Sequence, residues 1–149
     1  MSERAAWLQA NIEEHGFAII HVMADDEGPG FSYTIGLWYT YAHPEVIVFG
    51  MPQQMAHEVL WGIAHDIAGE KRFQVGQRSG DILEGYDCAF LGVNVDHYAD
   101  YLGQACNMYG GVEFQTIQCA WPDRAGCFPW EPECEAWVVE AQPLLSRTF

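Results

Sequence analysis

Phe17-Ala-Ile-Ile-His-Val-Met23 and Phe31-Ser-Tyr-Thr-Ile-Gly-Leu-Trp-Tyr39 stand on either side of Asp25-Asp-Glu-Gly-Pro-Gly30. Both outer runs are rich in aromatic and β-branched residues, and the middle one is turn chemistry by composition. The three together predict an antiparallel hairpin, and the rest of the fold is read outward from it. Upstream, Glu3 to His15 reads as a helix, with Ser2 as its N-cap, Ala5, Leu8 and Ile12 on one stripe, and Gly16 as a left-handed stop. Downstream, the break at His43-Pro44 leads into a third strand, Glu45 to Gly50. Pro52 to Ala68 is the strongest helix. Its apolar pairs Met55/Ala56, Val59/Leu60, Ile63/Ala64 and Ile67/Ala68 make one broad face.

Beyond that helix, strands are expected over Phe73 to Val75 and Tyr86 to Val93, with Gly76-Gln-Arg-Ser-Gly80 a polar turn. Asp96 should cap a helix from His97 to Tyr109, ended by Gly110-Gly111, and Phe114 to Ala120 should be a last strand. Trp121 to Phe149 holds four of the seven prolines and reads as a loop-rich tail. Hairpins come early and no regular alternation of strand and helix follows. The expected class is therefore α+β, a mostly antiparallel sheet with helices packed on it, in one domain over 1–149.

Charge narrows the function. With 6 basic and 21 acidic residues the chain carries a net charge of -15. The basic residues are scattered, so nucleic-acid phosphates and anionic membrane surfaces are poor partners. An acidic field suits a basic protein partner or simple solubility. No apolar stretch approaches the ~20 residues of a membrane-spanning helix, and the start of the chain does not read as a secretory leader. Five cysteines without a Cys-x-x-Cys pair fit a reduced, cytoplasmic protein.

Motifs for phosphate, dinucleotide, zinc-peptidase or serine-hydrolase chemistry are missing. No cofactor and no metal are expected. His57 and His65 share a helix, but at a spacing that does not suit one ion, and Cys119, Cys127 and Cys134 are too widely spaced for a zinc set. His43 and Glu45 flank Pro44 at a strand entrance, where such a pair does acid/base work if a pocket is present. A turn histidine bonded to backbone is the plainer reading. The most distinctive stretch is Gln118-Cys-Ala-Trp-Pro-Asp-Arg-Ala-Gly-Cys-Phe-Pro-Trp130. Its prolines stiffen a loop in which Trp121, Phe128 and Trp130 either line a pocket or cover the edge of the sheet. Asp123 either fixes its own turn or faces a ligand, with Arg124 beside it to neutralise it.

Gly16-Phe17, Phe31-Ser-Tyr-Thr-Ile-Gly-Leu37, His43-Pro-Glu45, Phe49-Gly50, the Trp121-Pro-Asp123 block, Gly126-x-Phe-Pro-Trp130 and Gln142-Pro-Leu-Leu145 together resemble the bacterial family called domain of unknown function 4262. The resemblance implies a small bacterial protein with no assigned activity. It directs attention to Tyr33, Thr34, His43, Glu45, Trp121 and Asp123. Two functions fit. One is a binding protein that recognises a small molecule or a basic protein through an aromatic-lined site. The other is a small acid/base enzyme, hydrolase-like, using His43, Glu45 and Asp123. In either case the site is expected where the His43-Pro44-Glu45 break meets the Trp121-Pro122-Asp123 loop, with Tyr33 reaching the same region.

Overall fold

Local signals place the first elements where the sequence expects them. A computed structural model describes residues 2–146. Helix α1 spans Glu3–His15; the Ser2 hydroxyl accepts from the Ala5 N–H at 3.1 Å, and Gly16 stops the helix at φ 89°. Strands β1 (Ala18–Val22) and β2 (Phe31–Ile35) pair antiparallel from Ala18 opposite Ile35 to Val22 opposite Phe31, so the hairpin forms. Strand β3 (Glu45–Phe49) adds antiparallel to β2, and α3 (Gln53–Ala68) follows.

The sheet has six strands in the order β1-β2-β3-β6-β5-β4, with β4 at Arg78–Leu83, β5 at Tyr86–Gly92 and β6 at Thr116–Ala120. Only the central β3–β6 pair is parallel. The class is α+β, as expected. Alternation along β3 sends Val46 and Val48 to one face and Ile47 and Phe49 to the other. Helix α3 covers the first face through Val59, Leu60, Ile63 and Ile67. The second face, with Tyr33 and Ile35, packs against Leu8 of α1 and against Tyr98, Leu102 and Ala105. Every residue of β3 is buried, because both faces of the strand are covered.

Four stretches depart from the sequence reading. The second hairpin strand stops at Ile35. Gly36, at φ 114°, turns the chain into a five-residue helix, α2 (Leu37–Tyr41), despite its strand-like aromatics. Phe73 to Val75 is not a strand, and the polar turn over 76–80 instead runs into edge strand β4. Strand β4 alternates weakly because it lies at the sheet's margin, while Phe73 is 2% exposed and plugs the core. The helix expected over 97–109 is broken. A 3-10 turn (Val95–His97) leads to α4 (Tyr98–Tyr101), and Leu102 leaves the helical region at φ -115°, ψ 34° before α5 (Gly103–Tyr109). Its cap is Asn94, which accepts from Asp96 N–H, rather than Asp96 itself. Phe114 lies outside the last strand, and the tail contains a short helix, α6 (Ala136–Ala141).

Candidate functional site

The parallel pairing of β3 and β6 decides where the expected site residues lie. Glu45 stands opposite Thr116 and Ile47 opposite Gln118. The His43-Pro44-Glu45 break therefore enters the sheet where β6 begins, and Trp121 leaves it where β3 ends. Five residue steps from Thr116 to Trp121 correspond to roughly 16 Å of strand. The break and the Trp121–Asp123 loop do not meet, which corrects the expected convergence: it requires antiparallel strands.

At the exit end, Trp121 is built into the core. Its indole N–H donates to Phe49 O at 2.7 Å, and its backbone N–H and C=O are both bonded by the Gln142 side-chain amide, at 3.0 and 2.8 Å. The buried Asp123 carboxylate accepts from the backbone N–H groups of Ala125 and Cys127 at 2.9 Å each and of Glu135 at 3.0 Å. These bonds, led by those from Cys127 and Glu135, hold its pKa below the usual carboxylate range. Asp123 thus closes its own turn and ties it to the start of α6. Phe128 and Trp130 stack with centroids 4.8 Å apart, Phe128 lies on Ala89 and Ala120, and Arg78 sits over the Phe128 ring. The aromatic loop covers the sheet here.

At the entry end, both ring nitrogens of the buried His43 are engaged. One contacts Pro44 O at 2.8 Å, and Nε2 accepts from the Phe73 backbone N–H at 3.0 Å. The second bond requires a lone pair on Nε2, so the proton sits on Nδ1 and faces Pro44 O. Burial pushes the His43 pKa below the ordinary imidazole value, and Arg72 adds to this. His43 borders a pocket of about 370 Å³ with Arg72, Gln74 and Gln115.

Glu45 is fully buried and accepts five hydrogen bonds. They come from Thr34 Oγ1 (2.8 Å), the backbone N–H groups of Gly36 (3.0 Å), Leu37 (3.2 Å) and Trp38 (3.2 Å), and the Tyr109 hydroxyl (2.5 Å). The Tyr109 hydroxyl cannot reverse, because Oη already accepts from the N–H groups of Gly36 and Tyr39, and the three backbone N–H groups can only donate. Four of the five partners therefore must offer a proton, and the carboxylate is built as an acceptor. Burial pushes its pKa up, while the bonds from Tyr109 and Thr34 pull it back down. Burial and the adjacent carboxylate push the Tyr109 hydroxyl well above its ordinary value. The geometry explains α2: Glu45 gathers the first N–H groups of that helix as a cap reaching in from β3.

A cavity of about 670 Å³ lies between α1, α5 and Tyr39 of α2. Leu8, Ile12 and Met108 give it an apolar wall, Gln9, Gln104 and Asn107 bring side-chain amides, and Tyr109 lines it above Glu45. Tyr33, 1% exposed, sits behind the wall. Its hydroxyl accepts from the Gln104 backbone N–H at 3.3 Å, and burial pushes its pKa up to about 12. Of the expected residues, Tyr33 and Glu45 therefore stand one residue behind this cavity, through Gln104 and Tyr109. His43 borders a different pocket, and Trp121 and Asp123 are at the far end of the sheet. Sequence reading missed Tyr109, Gln104 and Met108 as lining residues. The one available signal was on α1: its stripe Ala5, Leu8 and Ile12 reads as core, yet only Leu8 is buried.

Among the described residues no group of three or more His, Cys, Asp or Glu side chains is placed to hold a metal ion, and no helix is long and apolar enough to cross a membrane. The model of a family described as a domain of unknown function, DUF4262, matches residues 11–135. No curated protein and no solved structure matches the chain.

Proposed function

The chain belongs to the DUF4262 family, whose description assigns no activity, and from its own geometry we propose that it is a binding protein for a small, largely apolar molecule held between α1 and α5. The cavity there carries the reading. Its volume of about 670 Å³ lies within the roughly 300–1,000 Å³ typical of ligand sites, and its lining joins an apolar wall to a few polar residues, among them Arg4 and Glu13, as such sites commonly do. Tyr109 gives it a floor that cannot swing, because its hydroxyl is bonded to Glu45, Gly36 and Tyr39. In this reading Glu45 and Tyr33 are positioning residues, acting through Tyr109 and Gln104. His43, Trp121 and Asp123 hold the scaffold.

The acid/base alternative has less support. His43 and Asp123 spend their polar atoms on backbone groups, Glu45 spends its own on backbone N–H groups and two buried hydroxyls, and the three line no common pocket. A basic protein partner has charge alone in its favour. Five free thiols, two of them sealed in the core, suit a reducing, cytoplasmic setting.

The test is a fluorescence titration with the uncharged apolar dye Nile red. The wild-type protein should bind one dye with blue-shifted emission. Ala5→Trp, an exposed position on the rim, should weaken binding at least about tenfold and leave the melting temperature unchanged. Equal dye binding by Ala5→Trp would remove the cavity from consideration.

A further inference from the structure

We propose that Cys127 and Cys134 are a redox pair, which closes to an intramolecular disulfide when the protein meets a small-molecule disulfide such as oxidised glutathione. Both are free and half-buried, and they sit in the loop that the sequence marks as the chain's most distinctive. Two successive turns fold the intervening residues back: Glu131 N–H bonds to Phe128 O at 2.9 Å, and Cys134 N–H bonds to Glu131 O at 3.1 Å. The Cys134 thiol consequently lies 3.5 Å from the Cys127 carbonyl oxygen. Asp123 clamps the two segments independently. One of its oxygens holds the Cys127 N–H, and the other holds the N–H of Glu135, the residue after Cys134. A disulfide needs Cα atoms about 4.4–6.8 Å apart and the thiols turned toward each other. The doubled turn and the carboxylate clamp hold the two residues side by side, and closure needs the half-buried Cys127 side chain to rotate toward Cys134.

The chemistry balances as ordinary thiol–disulfide exchange. One thiol of the pair loses its proton and attacks a sulfur of oxidised glutathione, releasing one glutathione thiolate. The second thiolate then attacks the mixed disulfide, forms the Cys127–Cys134 bond and releases the other glutathione. The protein gives up two electrons and two protons, and oxidised glutathione becomes two glutathione thiols. Burial and the Asp123 carboxylate push both thiols above their ordinary pKa, so the exchange is slow and responds to sustained oxidation.

The remaining cysteines provide internal controls. Cys88 and Cys119 are fully buried on neighbouring strands with their thiols against each other, so burial alone keeps oxidised glutathione from them. Cys106 lies apart from the pair on α5, with its thiol directed at Tyr98 O.

Folded protein is incubated with oxidised glutathione, quenched by alkylation, denatured and analysed by intact and peptide mass spectrometry. The expected product has lost two hydrogens, carries a Cys127–Cys134 cross-link, and leaves the other three thiols alkylated after denaturation. In Cys134→Ser the resolving thiol is gone, so a stable glutathione adduct should accumulate on Cys127. An unchanged wild-type mass would overturn the proposal. So would a persistent glutathione adduct on the wild-type pair, or a cross-link that includes Cys88, Cys106 or Cys119.

Discussion

The two ends of the β3–β6 pair use the same device in different surroundings. Each holds a buried acidic side chain whose oxygens gather backbone N–H groups from a neighbouring loop or helix, the one after Asp123 and the one before Glu45. Asp123 takes three such bonds at the exit end, beside a solvated loop. Glu45 takes three at the entry end with two hydroxyls in addition, sealed between the sheet and the helices around α2. The carboxyl pKa is held down at the first and pushed up at the second. Hydrogen bonding favours the charged form at both; desolvation dominates only where no face of the group touches water. Asp123 therefore organises a cover, while Glu45 organises a cavity wall, because Tyr109 is one of its donors.

Removing Glu45 should have the largest effect. Glu45→Ala leaves four donors, on Thr34, Leu37, Trp38 and Tyr109, without their acceptor, while the Gly36 N–H keeps Tyr109 Oη, and each buried group so left costs about 1–3 kcal/mol. Partial refilling by water lowers the sum, so a loss of at least about 3 kcal/mol in urea melts is expected. Asp123→Asn keeps one acceptor oxygen and lies nearer solvent, so its melting temperature should fall less. A larger fall for Asp123→Asn would reverse the comparison between the two ends.

Tyr109→Phe sharpens the same comparison with a smaller change. The ring still lines the cavity, but the short bond to Glu45 and the two bonds accepted from Gly36 and Tyr39 are lost. A destabilisation of about 1–3 kcal/mol is expected. Nile red affinity should stay within about threefold, since the apolar wall of the site is kept. Strong loss of dye binding with unchanged stability would make the hydroxyl a ligand contact and not a structural tie.

Much of this architecture is legible in the sequence, because it rests on short-range periodicity. Ser2 and Gly16 bound α1, the repeat of apolar pairs sets the face of α3, and the Gly-Pro-Gly turn joins β1 to β2. Helix α2 is illegible because Trp38, Tyr39 and Tyr41 favour strands and only a distant glutamate makes them helical. Strand β4 is illegible because an edge strand has little burial to impose alternation. The direction of β6 relative to β3 is the omission that matters most for function. Both strands are hydrophobic runs, a run has the same pattern in either direction, and the crossover through α3, β4, β5, α4 and α5 leaves no local trace. Glu45 and Tyr33 stand out in the sequence, but their partners Tyr109 and Gln104 lie on a helix expected to be plain core.

The smallest expected effect comes from pH, and it should separate the ends most cleanly. Folded His43 is held neutral, since its Nε2 must accept the Phe73 N–H, and its pKa lies below the ordinary 6.5. The unfolded chain takes up that proton near 6.5, so between 6.5 and the lowered folded value the unfolded state binds more protons. Stability contributed by His43 is thus full above that window and is lost as pH falls through the folded pKa, by at most about 1.4 kcal/mol per pH unit for one group. His21, also lowered by burial and by His57, adds in the same direction. Urea midpoints at about pH 7.5 and 5.5 should therefore fall more in wild type than in His43→Gln, which carries no titrating group there. Asp123 works the other way along the scale. Its depressed pKa contributes stability above the ordinary 3.8 and loses it only as pH falls through a value lower still. Mild acid consequently loosens the entry end while the exit end keeps its ties. Amide hydrogen exchange reads this residue by residue. After correction for the pH dependence of intrinsic exchange, the Phe73 N–H should lose protection at pH 5.5, while the Cys127 N–H, held by Asp123, should not. Equal loss at both would mean that the two ends open together and that His43 has no separate hold on the fold.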